Sequence, residues 1–163
     1  MALSRALMRV GLLVSAAALF AVPAGAVAGE QHLEFKLVTR PIDVKSVEAP
    51  NIAGQRLGAG KFFGLAYFSD GRIAVKDFIS DSDLLKGLGS IRGYSTYIFE
   101  DGSSITASFT GEIKQTGLHG TYAIVSGTGA YDNATGTGSF DSVPTKFKDG
   151  ATLFNGKFDV KTP

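Results

Sequence analysis

One carboxylate stands out among the residues able to carry chemistry because of its neighbours. Asp77 recurs with Ile73, Val75 and Ile79 at the two-residue period of a strand. Inside a barrel, such a carboxylate would lose its water and become a candidate general acid or base. The alternative places Asp77 at a rim, or capped by backbone N–H groups. Tyr67 falls on the same side as Asp77 if the hairpin between them has a three-residue loop, and Tyr97 lies on the apolar face of its own strand with Phe109 nearby in register. Phenol hydroxyls and a ring projecting into a cavity would orient an apolar ligand. Asp77 is therefore the candidate catalytic group, and Tyr67, Tyr97 and Phe109 are the candidate ligand-binding residues.

Other chemistries lack their parts. The chain has 2 His (His32 and His119) and no Cys, so a Cys/His zinc site with standard ligand spacing is excluded. Asp77, Asp81 and Asp83 lack the Gly and closing Glu of an EF-hand loop. No Gly-x-Ser-x-Gly elbow occurs, and the run Gly127-Thr128-Gly129 has Asp132 where a dinucleotide fingerprint requires its third Gly. A turn with positive φ accounts better for that run. No metal or cofactor is implied.

The elements that must position these residues are strands. The chain has 163 residues, of which 21 are Gly, and only 19% are charged. Its first 28 residues read as a signal peptide: Arg5 and Arg9 precede a 13-residue apolar stretch at 10–22, followed by Pro23 and small residues. That stretch is too short to span a bilayer. Cleavage sites end at Ala26 or Ala28, the second being preferred, which leaves one domain over 29–163. The expected location is exported, periplasmic or extracellular, without stable membrane insertion after processing. Removing Arg5 and Arg9 leaves 14 basic against 15 acidic residues, with no basic cluster. A nucleic-acid partner is not expected.

Leu33, Phe35 and Leu37 alternate with His32, Glu34 and Lys36. A loop is expected over 40–55, then strands over 58–68, 72–80, 91–100, 104–115, 119–126, 136–142 and 152–160, with short helical turns near 82–86 and 130–134. Eight strands and glycine punctuation imply an all-β barrel or sandwich. Asp70-Gly71 and Asp101-Gly102 mark two hairpins. The second takes a three-residue loop, because Tyr97 then faces Ile105 and the apolar residues share one surface. The first hairpin is apolar on both faces: Phe62, Phe68 and Phe78 on one, Phe63, Leu65, Tyr67, Val75 and Ile79 on the other. The surplus face is either a subunit contact or covered by another segment.

The segment Gly127-Thr128-Gly129-Ala130-Tyr131-Asp132-Asn133-Ala134-Thr135-Gly136 resembles the glycine-rich turn of the allene oxide cyclase and dirigent-protein superfamily, with Ser126 where Gly is usual. The stretch from Tyr97 to Gly111 looks like bacterial members of the same group. The resemblance implies an eight-stranded antiparallel β-barrel (calycin-type, allene oxide cyclase-like) with a central apolar cavity, often a homotrimer. The Glu and Asn of plant cyclases have no counterpart between Phe35 and Pro41, and the first-strand Asp of dirigent proteins is also missing. Three functions follow as expectations: a barrel binding a small apolar molecule (lipid-derived or phenolic), a cofactor-free cyclase or isomerase, or an oligomeric envelope protein with a packed interior.

Overall fold

The computed structural model describes residues 29–147 and 149–163; the signal-peptide expectation lies outside them. Eight antiparallel strands run in chain order: β1 (Gly29–Glu48), β2 (Gln55–Phe68), β3 (Ile73–Leu85), β4 (Leu88–Phe99), β5 (Ser104–Lys114), β6 (Gly117–Thr128), β7 (Thr135–Val143) and β8 (Thr152–Thr162). Each pairs with the next, and β8 returns to β1 with Gly29 opposite Thr162, so the sheet closes into a barrel, while β1 beyond Thr39 is paired to β2 alone.

Local chemistry explains the hairpins. In both Asp-Gly loops the glycine has positive φ, and Phe68 N–H donates to Arg72 C=O just as Phe99 N–H donates to Ser103 C=O, each at 2.9 Å. The three-residue loops put Tyr67 opposite Ile73 and Tyr97 opposite Ile105. The region 40–55 departs from the expected loop. β1 continues to Glu48 because a shift in register between Pro41 and Asp43 absorbs the proline, which has no N–H to give the ladder. The turn is confined to the residues around Pro50 and Asn51. Residues 82–85 likewise extend β3 rather than forming a helical turn, and the chain reverses at Lys86-Gly87, both with positive φ. The second expected turn is present as a 3-10 helix, Gly129–Tyr131.

Rings and glycines fill the interior together. Phe35, Tyr97, Tyr122 and Phe158 form its middle, with the Tyr97 ring edge-on to Phe158 at 5.1 Å. A Cβ on Gly120 would stand 2.2 Å from Phe140 Cζ, and one on Gly156 would stand 2.3 Å from Phe35 Cε2. Bare backbone on one strand is thus the space into which a ring on its neighbour lies flat. Tyr131, buried beneath the glycine-rich turn, packs on Phe99 at 5.2 Å and closes one end. Gly127 permits this, since its Cβ would stand 2.1 Å from the Tyr131 carbonyl oxygen. Arg72 Nη1 donates to Tyr131 Oη at 2.5 Å, tying the β2–β3 loop to the same plug.

The barrel also decides between the two apolar faces of the first hairpin. Phe62, Phe68 and Phe78 turn inward, whereas Phe63, Tyr67 and Ile79 are exposed on the outer wall. Directly paired residues share a face, and β3 pairs with β4 so that Lys76 stands opposite Tyr97 and Ala74 opposite Phe99. The alternate residues, Val75 and Asp77, must therefore point out.

Candidate functional site

The placement of Asp77 corrects the expectation of a desolvated carboxylate. It is exposed on the outer wall between Phe63 and Thr96. Tyr67 is also outside, 50% exposed, on an open cleft of about 510 Å³ that it shares with Lys36 and Asn155. In both cases the cause is the register just described: a strand alternates strictly, so an inward Lys76 sends Asp77 out. Tyr97 and Phe109 do lie inside, both nearly inaccessible. The four residues therefore do not converge on one place.

What converges instead is a group built around Lys76. This lysine is only 4% exposed, between Ala74 and Phe78 on the inner face of β3. On β2 the residue opposite is Gly64, which puts no side chain beside the lysine stem. Its Nζ donates to Tyr122 Oη at 3.0 Å, and the Tyr122 and Tyr97 hydroxyls are 2.9 Å apart. Four rings surround the amine, with Nζ 4.4 Å from the centroid of Phe78, 5.0 Å from Tyr97, 5.2 Å from Tyr122 and 5.6 Å from Phe109. Such faces attract a cation, which offsets part of its lost hydration. Among the described residues no carboxylate forms a salt bridge with it.

The electrostatics follow from that burial. Desolvation lowers the Lys76 pKa from the usual lysine range to about 7. Burial pushes both phenols up, with the Tyr122 hydroxyl and its field adding to the effect on Tyr97. Near neutral pH the site therefore holds two un-ionised phenols and an amine poised between its charged and neutral forms. It could act as a base, a proton carrier or the counter-ion of an acid. Beside it lies a void of about 30 Å³ whose wall includes Thr39, Phe78, Phe109 and Phe154. Around that void the interior is packed with rings, so the central apolar cavity expected from the resemblance is largely filled there, whereas toward Gly58, Ser82 and Ile91 the inner face is only half-buried. A second incomplete polar group lies close by along β4: Ser95, opposite Phe78, has a buried hydroxyl without a hydrogen-bond partner.

Lys76, Tyr122 and Ser95 were not among the residues singled out from the sequence. One signal could have found them. The inner row of β2 reads Phe62, Gly64, Ala66, Phe68, alternating rings with small residues, as barrel interiors need. Extending that row across the longer hairpin loop puts Lys76 inside and Asp77 outside.

No family model and no curated protein matches the sequence. Among solved structures, the pterocarpan synthase dirigent protein GePTS1 superposes with a TM-score of 0.57 at 18% identity, covering 90% of this chain and 97% of the other. The pterocarpan synthase dirigent protein PsPTS1 gives 0.57 at 19% identity, with 82% and 95% covered. Eight antiparallel strands closed in chain order and these two superpositions agree: the chain has the eight-stranded antiparallel barrel fold of these dirigent proteins.

Proposed function

We propose that the protein is an exported barrel that binds a small apolar molecule, lipid-derived or phenolic, in the interior around Lys76, Tyr97, Phe109 and Tyr122. The observation that carries this reading is the buried amine of Lys76, bordered by a void and without an acidic partner. A lone buried ammonium opposes folding, so its place in an otherwise apolar core calls for a role. Of the residues lining the void, Phe78 alone is not fully buried, and it stacks on half-buried Phe62 at 4.8 Å. Movement of this pair is the route by which a ligand larger than the void would gain room. The sequence of segment 1–28 supports export, and the likeness to two pterocarpan synthase dirigent proteins is in keeping with a phenolic ligand for this chain.

A cofactor-free cyclase or isomerase is the second reading, favoured by the Lys76–Tyr122–Tyr97 hydrogen-bond chain, along which a proton can move. Asp77 has no part in it, being on the opposite face of β3. The outer wall supports a homotrimer or other self-assembly, since Phe63, Tyr67, Ile79, Tyr94 and Ile98 expose apolar surface across β2, β3 and β4.

Native mass spectrometry of protein purified gently from the exported fraction tests the reading. A retained small-molecule mass, released on denaturation, is the expected result. An empty particle that also fails to take up the neutral dye Nile red overturns it, and leaves the packed interior as a structural core.

A further inference from the structure

The reading above leaves open what kind of molecule the interior would select, and the inference here rests on that reading. Lys76 makes a single hydrogen bond, to Tyr122, so an ammonium there retains N–H donors without partners. Tyr97 and Tyr122 are the titratable groups that face it, from β4 and β6. The elements packed around the void otherwise present Leu37 and Thr39 from β1, Phe109 from β5, Phe140 from β7 and Phe154 from β8, none of them charged. The site thus offers a cation, a neutral phenol and an apolar wall, and it lacks an anion. Ser95 adds a buried hydroxyl without a hydrogen-bond partner, on the residue directly opposite Phe78 across the β3–β4 ladder.

We propose that this pocket takes the ionised oxygen of a small aromatic or aliphatic organic acid, a carboxylate or a phenolate, with the Lys76 ammonium as its counter-ion. The charged oxygen fits the void, whose volume of about 30 Å³ matches one water molecule's share of the liquid. The apolar body replaces the Phe78 ring as that ring turns toward Phe62, and the same turn uncovers the Ser95 hydroxyl as a second donor. Neutral molecules of the same shape gain the apolar contacts but leave the ammonium unpaired. Binding of the anion fixes the proton on Lys76, so near and above neutral pH the complex takes up a proton from the buffer.

Calorimetric titration of the purified protein at about pH 7.5 tests this with two matched pairs: benzoate against benzyl alcohol, and 4-nitrophenolate against 4-nitroanisole. The expected result is at least about tenfold tighter binding of one or both anions than of the neutral partner, the size of one charge-assisted hydrogen bond. The first pair reports carboxylate preference and the second phenolate preference. Heats measured in two buffers of different ionisation enthalpy should show net uptake of a fraction of a proton per benzoate bound, because part of Lys76 is already protonated at this pH. The uptake should be less for 4-nitrophenolate, whose parent phenol is itself only partly ionised in solution. Lys76→Met, shown to be folded by circular dichroism, should remove the preference and the proton uptake, and Asp77→Asn, on the outer wall, should keep both. Equal affinity within each pair, or a preference that survives in Lys76→Met, overturns the inference and leaves the apolar-ligand reading standing. Failure of all four compounds to bind overturns both.

Discussion

Lys76 couples the stability of the barrel to pH in a direction that can be worked out. In the unfolded chain it holds its proton up to about pH 10.5, whereas in the barrel it releases it near pH 7. Between those values the unfolded state binds more protons, so stability rises as pH rises from about 7 toward 10.5, and the full penalty applies below 7. Lys76→Met removes the penalty and keeps much of the volume. It should raise the unfolding free energy by roughly 1–4 kcal/mol below pH 7, with the gain shrinking at higher pH. Urea unfolding followed by circular dichroism across that range checks both the sign and the window. Tyr122→Phe acts oppositely: it strips Lys76 and Tyr97 of a shared partner and should cost about 1–3 kcal/mol in the same assay. Asp77→Asn should leave ligand binding unchanged in calorimetry, because its carboxylate is outside.

At the scale of the strands, the controlling relation is between rings and the bare backbone they cover. Gly120 lies on β6 with Phe140 against it on β7, and its Cβ would also stand 2.6 Å from the Thr110 carbonyl oxygen. Neither neighbour is the free end of a flexible chain, so Gly120→Ala should destabilise by more than about 3 kcal/mol or prevent soluble folding. Gly102 provides the control: its φ is +82° and a Cβ would meet nothing within 4 Å. There, Gly102→Ala should cost only about 1–2 kcal/mol, from backbone strain alone. Thermal unfolding of the two variants separates crowding from conformational strain. The same strands show how much local sequence could tell. Asp101-Gly102 and the alternation on both sides of it predicted the β4–β5 register correctly, because only one register gathers the apolar residues on one face. Pro41 misled in β1, where a turn was expected. A proline breaks a ladder only where its N–H is needed, and the shift in register at that point removes the need.

For the molecule as a whole, closure of the barrel pairs most strand edges, which leaves two surfaces for association: the outer wall, and the stretch of β1 beyond Thr39, which is paired to β2 alone. The exposed row Phe63, Tyr67, Ile79, Tyr94 and Ile98 is an apolar part of that wall, on β2, β3 and β4. Its side chains contribute little to the core, so Phe63→Glu and Ile98→Glu should leave the fold intact. Each should shift the assembled species toward monomer in light scattering coupled to size-exclusion chromatography. A wild-type monomer at micromolar concentration would remove the assembly proposal. The plug formed by Tyr131, Phe99 and Arg72 closes one end, which leaves the Phe62–Phe78 pair as the flexible part of the wall around Lys76.

Composition and local pattern by themselves determined the strand number, the all-β class, the positions of the two Asp-Gly hairpins, the loop length of the second and the placement of Tyr97 and Phe109 on one apolar face. These depend on interactions between residues close in the chain: turn chemistry, two-residue alternation and glycine at tight approaches. Apolarity left open which face of β2 and β3 points inward, and there the tertiary structure decided. Both faces are apolar there, so burial of either would satisfy the local pattern, and a shift of one residue exchanges them. The choice is made by β4, more than twenty residues from Lys76 along the chain for its far partner Tyr97, whose inward ring brings its cross-strand neighbour with it. That single parity replaces an acid with an amine as the buried ionisable group and moves the candidate site from Asp77 to Lys76.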